Sequence, residues 1–236
     1  YQLMLGQSGY AGTREDALLE AIIGRRPDGI VLTGILHSAE GRRRLMASGI
    51  PVVETWDLTP TPIDMLVGFS HVDVGRAVAQ FLRDKGRTRL AAVCGDDERA
   101  QRRLLAFREA ARGLGLAEVL EVVVPAPTTL RSGREALAHL LADGADAVFC
   151  SSDQLALGVM TEAQALGISI PRQLSVVGFG DQEIAVDLHP ALTTVRINGA
   201  DIGRQAARFI VERAEGRAVD PRIIDIGFSI VDRQSA

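Results

Sequence analysis

Short apolar runs and longer segments with helical spacing take turns along almost all 236 residues, and few folds absorb that pattern. The runs that read as strands are 29–33, 51–55, 65–69, 90–95, 119–124, 147–151, 174–178, 192–197 and 223–231, with 1–5 as a further strand-like run at the start. The helical segments between them are 13–25, 39–47, 74–85, 98–114, 131–142, 154–166 and 200–215. Runs such as Ile30-Val31-Leu32 and Ala91-Ala92-Val93-Cys94 are apolar throughout rather than alternating, which is what a parallel sheet covered on both faces demands. Gly49, Gly86, Gly115, Gly144 and Gly167 each stand between a helical segment and the next strand. A glycine there ends a helix in the left-handed conformation without steric cost. At the opposite ends, Thr13 with Asp16 resembles a capping box, and Ser152-Asp153 can accept hydrogen bonds from the first free amides of a helix. The expected fold class is therefore doubly wound α/β.

Composition narrows the function. Hydrophobic residues are 47% and charged residues 24% of the chain, enough to bury a core without disulfides or metals. At about 150 residues per domain, the length allows one large domain or two small ones. No apolar run approaches the roughly 20 residues that span a bilayer. Net charge is -4, from 26 Lys and Arg against 30 Asp and Glu. A self-sufficient nucleic-acid binder carries a cationic surplus, so any DNA contact is expected from a separate segment. Cys94 and Cys150 sit singly in apolar runs, which reads as buried reduced thiols of a cytoplasmic protein. The opening at Tyr1, inside a strand-like run and without an initiator Met or an export signal, reads as a fragment.

The catalytic and cofactor motifs fail in turn. The glycine-rich stretch from Gly6 to Gly12 lacks the spacing that brings a backbone against a pyrophosphate, and no phosphate-loop lysine motif occurs. Gly68-Phe69-Ser70-His71 has a histidine where a nucleophile elbow needs its second glycine. His37, His71, His139 and His189 have no helical metal spacing and read as surface residues. No cofactor and no metal are expected, and the chain does not read as an enzyme. Arg42-Arg43-Arg44 reads as a solvated helix face. Arg102-Arg103 falls beside Asp96-Asp97-Glu98 at the carboxyl end of a strand, where α/β sheets hold ligands. Arginine offers a planar fork there for a carboxylate or paired hydroxyls, the alternative being structural pairing with Asp96 or Glu98.

The order of motifs is more specific. Gly68-Phe69-Ser70-His71 is followed by Arg103-x-x-Ala106-Phe107, then Ser151-Ser152-Asp153-Gln154-Leu155-Ala156-Leu157-Gly158, then Ile170-Pro171, Leu174-Ser175-Val176-Val177-Gly178-Phe179-Gly180-Asp181 and Pro190-Ala191-Leu192-Thr193-Thr194. This order resembles the effector-binding core of the lactose/galactose repressor family of bacterial transcription regulators, over nearly the whole chain. Val52-Val53-Glu54, Pro62-Ile63-Asp64-Met65 and Asp225-Ile226-Gly227-Phe228 look most like its gluconate-repressor branch. The resemblance implies two Rossmann-like lobes of the periplasmic-binding-protein type: residues 1–69 with 198–220, and residues 70–197 with 221–236. It also implies that the DNA-binding headpiece and the first strand and helix of the N-terminal lobe lie outside this chain.

Further implications concern ligand and partners. The resemblance implies a homodimer, a sugar-sized effector whose binding in a closing cleft shifts the population, and operator DNA reached through the headpiece, with no membrane contact. Carried over by position, Phe69 matches an aromatic that stacks on a sugar face and Arg103 an arginine that grips hydroxyls or an acid. Ser152 and Asp153 match a polar pair closing a strand, and Thr33 and Glu54 match positions of the N-terminal lobe. For Phe69 the alternative is a core role, and for Ser152 and Asp153 a helix cap. Gly180 departs from the family, where many members carry Asp, leaving Asp181 next door. Losing one carboxylate favours an anionic ligand, with Arg103 and Arg196 as counter-charge, so a sugar acid is the expected effector. The competing reading is an exported periplasmic sugar-binding protein of the same fold.

Overall fold

The computed structural model describes residues 2–7, 15–35 and 38–236. The chain divides into two units, residues 1–70 with 198–227 and residues 71–197 with 228–236.

The first unit is built on a four-stranded, wholly parallel sheet in the order β1 (Ile30–Thr33), β2 (Val52–Thr55), β3 (Met65–Gly68) and β9 (Ile223–Asp225). Every residue of β2 and β3 is buried, as inner strands of a covered sheet require, and this includes the polar Glu54 and Thr55 at the end of β2. Helices α1 (Glu15–Ile23), α2 (Ala39–Ser48) and α8 (Gly199–Ala214) belong to this unit. Leu19, Ile30, Leu45 and Val52 form one core cluster, and each such side chain stabilises the fold by about 1.5–3 kcal/mol.

The second unit carries a six-stranded sheet, ordered β10 (Ser229–Val231), β8 (Thr193–Arg196), β7 (Ser175–Phe179), β6 (Ala147–Cys150), β4 (Leu90–Gly95) and β5 (Leu120–Val124). Only β10 runs antiparallel. The inner strands β4 and β6 are buried throughout, whereas the edge strand β5 alternates half-buried and exposed positions. Helices α3 (His71–Asp84), α4 (Glu98–Gly113), α5 (Leu130–Ala142) and α6 (Asp153–Ala165) connect the strands, with a single-turn α7 (Ile184–Asp187) that the periodicity does not announce. Small residues let the helices approach closely. A Cβ on Gly75 of α3 would lie 2.3 Å from the Arg103 carbonyl oxygen of α4.

The expected α/β architecture is present, and all five helix-ending glycines have positive φ, from 69° to 83°. Three expectations are corrected. Residues 2–5 form no strand. The run 223–231 is two strands rather than one, because Gly227 turns the chain at φ 65° and β9 pairs with β3 while β10 pairs with β8. In consequence the chain leaves the first unit after Gly227 rather than after residue 220, and residues 221–227 belong with the first unit. Tyr1, Thr13 and most of the glycine-rich stretch lie outside the described residues. Asp16, expected to help cap α1, accepts a hydrogen bond from Ser38 Oγ at 2.8 Å.

Candidate functional site

In the second unit the carboxyl ends of β4, β6, β7 and β8 bring their following loops together, and five of the eight expected ligand residues lie there. Gly95 N–H donates to Ser151 Oγ at 3.0 Å, tying the end of β4 to the end of β6. Ser152 is the N-cap of α6, accepting from Leu155 N–H at 3.3 Å, and its hydroxyl also meets that of Thr128 at 3.1 Å. Asp97 caps α4 through Ala100 N–H at 3.0 Å.

Arg103 stands at the centre of this end, 5% exposed. Its Nη1 is 2.9 Å from His71 Nδ1, and its Nη2 donates to the Ser151 carbonyl at 3.2 Å. The guanidinium carbon lies 3.9 Å from the centre of the Phe179 ring, a cation–π contact. Arg102 is the structural member of the arginine pair, bonded to Glu98 one turn away.

Asp153 is 1% exposed and accepts from Thr194 Oγ1 at 2.6 Å and Gln182 N–H at 2.7 Å. Burial pushes its carboxyl above the usual range, against those two hydrogen bonds. Asp181 behaves oppositely. Burial alone would raise its carboxyl, but hydrogen bonds from Arg196 and Arg233 outweigh it and hold the group below the usual range. The neighbouring Gly180 has φ 127°, a backbone that side chains rarely adopt, which accounts for glycine where a carboxylate was expected.

The remaining expected residues lie in the first unit. Glu54 is fully buried, accepting from Ile63 N–H at 2.7 Å and from Arg42 Nη1 at 3.4 Å. Phe69 is fully buried, with Trp56 edge-on at 6.3 Å. Thr33 closes β1 and is exposed. The three-arginine cluster is ion-paired, Arg42 with Glu54, Arg43 with Glu40, and Arg44 with Glu40 and Glu20.

Arg196 is bonded to Asp181, which Arg233 contacts as well, so one carboxylate faces two guanidinium groups. One expectation changes. His71 is not a surface residue but is 4% exposed, while His139 and His189 are exposed and His37 lies outside the described residues. Sequence reasoning also missed Phe179, Thr194 and Arg233. The apolar Val176-Val177-Gly178-Phe179 run and the doublet Thr193-Thr194 hid them as ordinary strand residues, and only the sheet order brings Thr194 beside Asp153.

Among the described residues no cluster of three or more His, Cys, Asp or Glu side chains could hold a metal ion. No helix among them is long and apolar enough to cross a membrane.

Two parallel-stranded α/β units, with polar side chains gathered at strand carboxyl ends, define a binding module of the periplasmic-binding-protein class. Residues 79–236 match the periplasmic binding protein-like domain family. The chain is 33% identical over 238 residues to the HTH-type transcriptional regulator GntR of Pseudomonas aeruginosa, covering 99% of this chain and 69% of that protein. The crystal structure of the transcription regulator GntR from Chromobacterium violaceum superposes with a TM-score of 0.94 at 35% identity, covering 100% of this chain and 88% of that one. A CelR–cellobiose complex, also a transcriptional regulator, gives 0.79 at 27% identity, covering 96% and 71%. The chain belongs to the LacI family of transcription regulators, as its effector-binding core. These relatives are regulators rather than enzymes.

Proposed function

We propose that this core senses a sugar acid of the gluconate class in the cytoplasm, and that binding switches the operator affinity of a homodimer reached through an N-terminal headpiece. The observation that carries the effector class is Arg103, a permanently charged fork fixed at the ligand end of the second unit. Arg103 is the group we assign to an effector carboxylate. Ser152, Asp153 and Thr128 are the hydroxyl-reading polar groups beside it. Similarity to GntR regulators supports the gluconate preference suggested by the sequence motifs. No covalent step is involved. The effector needs only a differential affinity for the two regulatory states, about 1–3 kcal/mol, or roughly 5- to 150-fold in operator affinity.

Dimer formation is assigned to the outer face of α6 and the 188–190 turn, where Leu157, Met160, Ile168, Ile170 and Leu188 line a groove together with Thr161, Gln164 and His189. A second copy of the chain would cover it.

Two measurements test the effector reading. Thermal-shift screening is expected to show stabilisation by aldonates and not by neutral sugars, because specific binding raises stability by mass action. Arg103→Ala in the full-length regulator is expected to abolish effector release while operator binding persists. Normal release by this variant would refute the assignment.

A further inference from the structure

We propose that His71 is a positioning residue for the effector: its imidazole, held neutral as the Nε2–H tautomer, fixes the Arg103 guanidinium in the pose that meets an acid or paired hydroxyls. The inference rests on the role given to Arg103 above.

Hydrogen-bonding capacity fixes the tautomer. A guanidinium has five N–H donors, no acceptor and no accessible deprotonated form. The 2.9 Å contact between Arg103 Nη1 and His71 Nδ1 therefore requires a lone pair on Nδ1. The ring proton then resides on Nε2 and the imidazole is uncharged. Three surroundings reinforce this state. The ring is 4% exposed, so ionisation carries a desolvation penalty. A fixed positive charge is its hydrogen-bond partner. The residue also opens α3, where the first free amides present the positive end of the helix dipole.

The backbone explains how the pair comes together. His71 and Gly75 lie one turn apart on the same face of α3. Gly75 admits the Arg103 backbone so closely that a Cβ would sit 2.3 Å from its carbonyl oxygen. The Arg103 side chain then runs beside His71, and its second arm reaches the Ser151 carbonyl at 3.2 Å. Phe179 completes the cradle, 3.9 Å beneath the guanidinium and 6.4 Å from the imidazole centre. A flexible side chain is thereby ordered before any ligand arrives, so binding does not carry that entropy loss.

The test uses the full-length regulator titrated calorimetrically with D-gluconate. His71→Phe, which keeps a ring and removes the acceptor, is expected to raise Kd roughly tenfold or more. His71→Asn, whose amide oxygen can accept from Arg103, is expected to stay within about threefold of wild type. Arg103→Ala serves as reference: lost binding there with undiminished affinity in His71→Phe overturns the inference and leaves the Arg103 reading intact. Undiminished affinity in Arg103→Ala overturns that reading and the inference together. Asn failing as badly as Phe reduces His71 to a packing role, which also overturns it. Independently of any variant, the ¹⁵N spectrum of histidine-labelled wild-type protein is expected to show the Nε2–H tautomer for His71. A proton on Nδ1 refutes the proposal.

Discussion

Asp153 and Asp181 stand at the ends of neighbouring strands, yet their surroundings drive their carboxyls in opposite directions. For Asp181 the folded value is lowered. Its stabilising contribution is present above the ordinary carboxyl value of about 4 and disappears as pH falls through the lowered one. Asp181→Asn is therefore expected to destabilise the protein most near neutral pH, with the gap to wild type closing below about pH 4. Denaturant unfolding at several pH values checks this, and a gap independent of pH counts against the ion pairs with Arg196 and Arg233. For Asp153 the folded value is raised, so its contribution is present at low pH and lost as pH rises through that value. Cys94 and Cys150 supply a second prediction. Cys150 is in register with Val93, so Cys94, one residue on, points to the opposite face of the sheet and the two cannot bridge. Burial raises both thiols, Cys94 to about 11. Neither is expected to react with a thiol reagent at neutral pH until the protein unfolds, and rapid labelling of the native protein would contradict that.

Among the elements, the helix pairs depend on glycine in a way no periodicity reveals. In α5 and α6 a Cβ on Gly133 would lie 2.2 Å from the Leu155 carbonyl oxygen, and one on Gly158 would lie 2.1 Å from that of Leu130. Gly158→Ala is expected to cost about 1–3 kcal/mol, since backbone rather than a flexible side chain blocks the methyl group. Gly203 of α8 is the control: it is exposed, and a methyl group added there would meet nothing within 4 Å. Gly203→Ala is expected to be neutral or stabilising by up to about 1 kcal/mol, through helix propensity. Equal losses in the two variants, measured by urea unfolding, would remove close approach as the explanation.

For the whole molecule, the assigned dimer face gives a direct test. Leu157→Asp places a charge in this groove beside Met160, Ile168 and Leu188. Sedimentation of the full-length regulator is expected to show monomers for this variant and dimers for wild type, with operator binding weakened accordingly. A variant that remains dimeric would move the interface elsewhere.

The strands and helices were legible because an inner parallel strand has to be apolar on both faces and a helix has to stop on a residue that tolerates positive φ. Both are local demands written in consecutive residues. The place of Arg103 beyond the carboxyl end of β4 was legible as well, from its position after a strand. What consecutive residues could not show is pairing across the sheet: that β9 joins β3 and ends the first unit at Gly227, that Thr194 holds Asp153, that Arg196 and Arg233 share Asp181, and that a lone histidine is buried under Arg103. Each is a contact between residues 15 to 157 positions apart, and only closing the fold brings such partners within hydrogen-bond reach.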